Sequence, residues 1–184
     1  KAGTTTAYNY DDRGNIAQKR VYAYTTGILA NGTLRDTITY TYGNAVWKDL
    51  LTAYDGERIT YDAIGNPLSY RNGMTFTWQA GRQMKTATVG NLTYTMQYNQ
   101  DGVRTGKVQS AGSTTGEETV YYIEDGEILG EYRYNAGVKK LLYQFDANGR
   151  RIGFTYNGTQ YYYRHNLQGD VIAIVDRNAD TVAK

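Results

Sequence analysis

At 184 residues the chain is long enough for one ordinary domain, and its formal net charge is +2 with no run of basic residues longer than two. That balance leaves no electrostatic footprint for nucleic acid. The absence of Cys excludes disulfide stapling and thiol chemistry, without fixing the compartment.

The 20 tyrosines and 21 glycines say more. Hydrophobic residues make up 40% and mean hydropathy is −0.64, so apolar burial must rely on aromatic rings rather than aliphatic bulk. A buried Tyr ring needs a partner for its hydroxyl, which predicts a thin, partly wet sheet in preference to a polar lumen. No apolar run approaches the roughly 20 residues that span a bilayer, and no signal peptide is visible. The chain starts at Lys1 rather than Met and stops at Lys184 inside a continuing pattern, as a piece of a longer ribbon would.

Taken in chain order, the first unit is Tyr8-Asn9-Tyr10-Asp11-Asp12-Arg13-Gly14-Asn15-Ile16. Its form is Tyr-x-Tyr-Asp-x-x-Gly, a polar residue, then an apolar one. Tyr40-Thr41-Tyr42 continues the alternation. Residues 44–55, which include Trp47, break it, and we expect a short helical turn or packed insertion there. Thr60-Tyr61-Asp62-Ala63-Ile64-Gly65-Asn66-Pro67-Leu68 is the second copy, with the only proline just after the turn, where it removes no central ladder bond. Two degenerate copies follow, ending at Gly81-Arg82-Gln83-Met84 and at Gly102-Val103. Residues 109–118 read as the one flexible loop. Tyr143-Gln144-Phe145-Asp146-Ala147-Asn148-Gly149-Arg150-Arg151-Ile152 is the third full copy, and Gly169-Asp170 closes the last glycine step.

Each unit has a physical reading. In an extended chain alternate side chains share a face, so Tyr-x-Tyr lays two rings on one side. The Asp is expected to close the strand by accepting the N–H groups of the next two residues, and the Gly to supply the positive φ of a tight turn. The residues Ile16, Leu68, Met84, Val103 and Ile152 then start the returning strand on the aromatic side. A lone hairpin is unstable in water, but hairpins side by side bury a continuous stripe. Asn31-Gly32, Asp55-Gly56, Asn72-Gly73, Asp125-Gly126 and Asn157-Gly158 are further hairpin signals. The fold class expected is all-β: antiparallel β-hairpin repeats forming a twisted, curved sheet.

These units resemble the YD-repeat, or Rhs (rearrangement hotspot), family over nearly the whole chain. The most specific stretch is Tyr161-Tyr162-Tyr163-Arg164-His165-Asn166-Leu167-Gln168-Gly169-Asp170-Val171-Ile172-Ala173-Ile174-Val175-Asp176, similar to the segment that opens the family's core-associated domain. One β region over 1–184 is therefore expected, with 161–184 resembling the start of that domain. The resemblance implies a ribbon wound into a hollow shell in large secreted or cell-surface bacterial proteins. Its partners would be the remainder of the same polypeptide and an enclosed toxin domain. A family autoprotease carries Asp-Pro motifs; this sequence has none, so that activity passes to no residue here.

Weighed against structural roles, the candidates for chemistry are few. His165 is the only histidine, and without Cys it makes no typical zinc site, so it reads as a turn or hydrogen-bonding residue. Glu117-Glu118 and Glu124-Asp125-Gly126-Glu127 could offer paired acids for a glycoside hydrolase, the third and weakest function class, but read more simply as a charged loop and an Asp-Gly turn. The acids lack the alternate spacing of a calcium loop. Sequons at Asn31, Asn91 and Asn157 are incidental in a Thr-rich chain. Trp78 belongs to the alternation Met74, Phe76, Trp78; Trp47 does not, and is the candidate for stacking on a ligand ring.

The expectation is thus a scaffold and not an enzyme, with no catalytic, cofactor-binding or metal residues. Its structural turn and repeat residues are Tyr8, Tyr10, Asp11, Gly14, Tyr61, Asp62, Gly65, Tyr143, Asp146, Gly149, Gly169 and Asp170. The alternative is a surface module binding a carbohydrate or cell-surface receptor. Strands at residues 8–10 and Val171–Val175 are expected as unpaired edges through which the chain self-associates.

Overall fold

The computed structural model describes residues 3–29 and 32–184, so the Asn31-Gly32 turn lies outside the described residues. The expected antiparallel β fold is the one observed, and the described residues contain no α-helix. None is therefore long and apolar enough to cross a membrane. The chain divides into two compact units, 1–82 and 83–184.

In the first unit β1 (Thr4–Tyr10), β2 (Ile16–Ala23), β3 (Leu34–Thr41), β4 (Ala53–Tyr54) and β5 (Glu57–Arg58) pair in chain order. A second hairpin joins β6 (Ser69–Tyr70) to β7 (Met74–Gln79). The aromatic stripe is present: Tyr40 meets Tyr54 edge-on at 5.3 Å between centroids, and Tyr54 meets Tyr70 at 5.6 Å. Residues 44–52 form neither strand nor helix. The Asn44 side chain accepts N–H bonds from Val46 and Trp47 there, a local turn that competes with helix.

The second unit is a meander of β8 (Gln83–Val89), β9 (Leu92–Tyr98), β10 (Arg104–Ala111), β11 (Thr114–Glu124), β12 (Glu127–Asn135), β13 (Gly137–Phe145), β14 (Arg151–Tyr156), β15 (Thr159–His165), β16 (Val171–Val175) and β17 (Thr181–Ala183). Every consecutive pair is antiparallel. Tyr143 faces Phe154, and Phe154 faces Tyr161, across the ladder. The second stripe runs through Phe154, which stacks on Tyr161 at 5.3 Å and meets Tyr163 at 5.6 Å.

Two expectations are corrected here. Residues 109–118 are not a loop: β10 and β11 meet at Gly112-Ser113, where Gly112 at φ 58° reverses the chain in two residues. Glu117 and Glu118 consequently sit in a strand. Nor is Val171–Val175 an open edge along its whole length: β15 flanks it on one side, and on the other the short β17 covers Ile174 and Val175 and leaves Val171 and Ile172 unpaired. Tyr8 and Tyr10 do lie in β1, which among the described residues pairs with β2 alone.

Little of the described chain is deeply buried; apart from glycines, only Ile59, Asn66, Thr119 and Ala173 are. The sheets are thin, with Leu68, Val103 and Ile152 each more than a third exposed. The buried glycines Gly106, Gly130 and Gly153 stand in β10, β12 and β14. A Cβ at Gly130 would come 2.7 Å from the Leu141 carbonyl oxygen, so the neighbouring strand packs where a side chain would be.

Candidate functional site

One five-residue turn is repeated at Asp11–Asn15, Asp62–Asn66, Asn99–Val103, Asp146–Arg150, Asn166–Asp170 and Asp176–Asp180. In each, the first residue's N–H donates to the carbonyl of the fifth, and the fourth residue's N–H donates back to the carbonyl of the first. The first side chain accepts the N–H groups of the third and fifth residues, at 2.8–3.1 Å. The bonds therefore skip, rather than reach the next two residues as the sequence suggested. The fourth position has positive φ every time: Gly14, Gly65, Gly102, Gly149, Gly169 and, without the freedom of glycine, Ala179 at 66°.

Sequence reading placed three of these turns fully, and Asn99 as a degenerate copy. It placed Asp170 with Gly169 but missed that Asn166 takes the closing position, while Asp170 accepts from the Asn166 amide at 3.0 Å. The turn at Asp176 was missed because its fourth residue is Ala. Gly81 belongs to a different turn, in which Ala80 and Gly81 both have positive φ.

The fifth residue adds a second function. Asn66 is buried, its amide bridging Asp62 Oδ2 at 2.8 Å and the Gly81 carbonyl at 2.7 Å. Asn15 likewise bridges Asp11 Oδ2 and Asp49 Oδ1, at 3.1 and 3.0 Å. Desolvation pushes the Asp62 carboxyl up, but the bonds from Asn66, Ile64 and Gly65 outweigh it and hold it below the usual carboxylate range. Asp11 is lowered in the same way: desolvation opposes, and Asn15 and Arg13 prevail.

The second turn walls a cleft of about 730 Å³ with the Trp47 loop, at the scale of a ligand site, about 300–1,000 Å³. Trp47, half exposed, rests its benzo ring on Gly65. The Tyr61 hydroxyl donates to the Leu51 carbonyl at 2.6 Å, and desolvation raises its pKa. The Leu50 N–H donates to the Trp47 carbonyl at 3.1 Å, completing the loop's support. Trp47, Tyr61, Asp62 and Gly65 thus come together on one wall, which sequence spacing did not show.

Elsewhere the candidates serve packing. Trp78 Nε1 donates to the Pro67 carbonyl at 2.7 Å. His165 meets the Tyr163 ring edge-on at 6.2 Å. Tyr143 donates to Glu131 Oε1 at 2.9 Å beneath the Arg151 guanidinium, which lies 3.9 Å from its ring centre. Burial, then the Glu131 bond, pushes its hydroxyl up to about 12. Among the described residues no group of three or more His, Cys, Asp or Glu side chains could hold a metal ion.

No protein-family model matches the chain. Over 189 residues it is 31% identical to the tRNA3(Ser)-specific nuclease WapA of Bacillus spizizenii, a match covering 99% of this chain and 7% of that protein. The tRNA nuclease WapA of Bacillus subtilis strain 168 is also 31% identical, again across 99% of this chain and 7% of its own length. The chain thus spans a small fraction of the curated relatives it matches. The crystal structure of TcdB2-TccC3 without its hypervariable C-terminal region matches at a TM-score of 0.69 and 17% identity, over 98% of this chain and 9% of that one. The structure of TcdB2-TccC3 itself matches at 0.65, also with 17% identity over 98% of this chain and 10% of that one. At such identity the likeness is one of fold.

Proposed function

The chain belongs to the YD-repeat, or Rhs, family of toxin-associated proteins, and from that premise we propose that it is a structural segment of a secreted bacterial shell that encapsulates or displays a C-terminal toxin effector. One observation carries the reading: the same turn recurs six times among the described residues in thin sheets, and in the four copies that begin with Asp one carboxylate oxygen accepts two backbone N–H groups in closing it. An acid whose lone pairs already accept backbone N–H groups is poorly placed as a general base. We assign the nuclease activity in the relatives' names to parts of those proteins outside the matched segment.

Protease protection tests the shell. In the full-length protein the effector should resist digestion, and Gly65→Val with Gly149→Val, which break two turns, should expose it. Equal digestion of the effector in both proteins overturns the reading.

A second reading has its own support. Trp47 keeps half its surface exposed at the mouth of a cleft, as a platform for a sugar ring would. On this reading the segment also serves as a carbohydrate-binding surface.

A further inference from the structure

Asn-Gly pairs are chemically labile because glycine, with no Cβ, lets its backbone nitrogen approach the preceding side chain. Three such pairs lie wholly among the described residues: Asn72-Gly73, Asn148-Gly149 and Asn157-Gly158. All three asparagines are exposed, so neither sequence nor exposure ranks them. Their hydrogen bonds do. In the turn that starts at Asp146, the nitrogen that would attack is engaged: the Gly149 N–H donates to the Asp146 carbonyl at 3.0 Å. The Asn148 N–H donates to Asp146 Oδ1 at 2.9 Å. Asn157 is held twice, its N–H donating to the Lys140 carbonyl and its side-chain oxygen accepting the Lys140 N–H, both at 2.8 Å. The second of these bonds fixes the amide that would be attacked, in a tight turn between strands joined by four register pairs.

Asn72 has neither restraint. Its N–H donates to Glu57 Oε2 at 2.7 Å, but its side-chain amide and the Gly73 N–H have no hydrogen-bond partner among the described residues. The turn closes a hairpin of two register pairs, Ser69 with Thr75 and Tyr70 with Met74, so opening it costs little. Opening matters because the Gly73 nitrogen has to swing toward the Asn72 side chain before it can attack. We propose that Asn72 is a site of spontaneous deamidation. The Gly73 nitrogen bonds to Asn72 Cγ and the Cγ–Nδ2 bond breaks. The proton from Gly73 passes by way of solvent to the departing amide, which leaves as ammonia and closes a succinimide. Water then adds to either ring carbonyl, and the ring opens to aspartate or to isoaspartate. The product places a new carboxylate beside Glu57, where like charges repel.

Incubation of the 184-residue chain in mildly alkaline buffer tests this, with peptide mapping by mass spectrometry and enzymatic methylation to detect isoaspartate. Asn72 should deamidate at least about tenfold faster than Asn148 and Asn157, as a modest difference in local opening gives. In concentrated urea, where the hydrogen bonds are lost, the three rates should converge. Asp146→Ala, which frees the N–H groups of Asn148 and Arg150, should raise the rate at Asn148 and leave that at Asn72 unchanged. Asn148 or Asn157 reacting as fast as Asn72 in the folded chain overturns the proposal. A preference for Asn72 that persists in urea does the same, since sequence alone then sets it. An Asn72 that stays intact in the folded chain while the unfolded chain deamidates overturns it too.

Discussion

The benzo ring of Trp47 occupies the space a side chain at Gly65 would need: a Cβ there stands 2.6 Å from Cζ3. Gly65 is thus constrained twice, by that contact and by a φ of 85°. Gly149 has the same role in its own turn at φ 76°, with nothing within 4 Å of its Cβ position. Gly149→Ala should therefore cost only the left-handed backbone, about 1–2 kcal/mol. Gly65→Ala adds overpacking of about 1–3 kcal/mol, and Trp47→Ala in the same chain should recover part of it. Urea unfolding of the two single variants and the double mutant measures this; equal losses at Gly65 and Gly149 would remove the contact from the account.

The sixth turn makes the opposite prediction. Ala179 holds φ 66° where the other five copies have glycine. Ala179→Gly should raise stability by up to about 1 kcal/mol, because relief of the left-handed strain exceeds the added freedom of the unfolded chain. A lower melting temperature for this variant would show that the turn does not hold its form at that copy.

Acid should loosen the turns. The Asp11 and Asp62 carboxyls lie below their ordinary value of 3.8 in the folded chain. A depressed folded-state pKa contributes stability that is present above the unfolded value and lost as pH falls through the folded one. Stability should therefore decline as pH drops from just above 3.8 downward. Asp11→Asn with Asp62→Asn, which keep an acceptor in place, should flatten that decline. The measurement is a series of melts from pH 6 to 2, and an unchanged slope in the double variant would detach these carboxylates from it.

Much of this architecture was legible because it rests on local rules. Tyr-x-Tyr alternation, Asp followed by Gly at the third residue beyond it, and Asp-Gly or Asn-Gly pairs each encode strand or turn within a few positions. What escaped notice depended on tolerance or on distance. Asn166 replaces Asp because its carbonyl oxygen accepts the same two N–H bonds. Ala179 was invisible to a search for glycine. Gly112-Ser113 sat among Ser and Thr that read as flexible, yet the flanking Thr114, Thr115 and Thr119 are β-branched and extend the ladder. The convergence of Trp47 on Gly65 joins a loop to a turn 18 residues later, and no spacing rule links them. The buried Gly106, Gly130 and Gly153 did carry a signal: an isolated glycine inside a strand pattern marks a bulge or close approach.

Alkaline titration isolates the Tyr143 pair. Its hydroxyl is raised to about 12 by burial and by the Glu131 bond, against the opposing charge of Arg151. A tyrosine whose folded pKa exceeds the unfolded 10 adds stability that is full below 10 and lost as pH rises toward 12. Tyr143→Phe should remove one late-ionising phenol from the ultraviolet titration, and Glu131→Gln should bring that phenol down toward the ordinary range. If the late phenol persists in Tyr143→Phe, it belongs to another of the raised tyrosines, such as Tyr121 or Tyr163.

The last prediction concerns β16 and β17. The short β17 pairs Ala183 with Ile174 and Thr181 with Val175, leaving Val171 and Ile172 beyond its register. These two side chains are half exposed and line a shallow cleft of about 180 Å³ with Ala183. A three-residue strand covers an apolar run poorly, and unpaired backbone beside exposed β-branched residues recruits other chains. The 184-residue chain should therefore self-associate at high concentration through this stretch. Ile172→Lys should shift it toward monomer, whereas Leu167→Lys, at a fully exposed position in the turn between β15 and β16 and outside the strand pairing, should not. Light scattering across a concentration series reads the outcome. A wild-type chain that stays monomeric at millimolar concentration would mean that β17 suffices to protect the stretch.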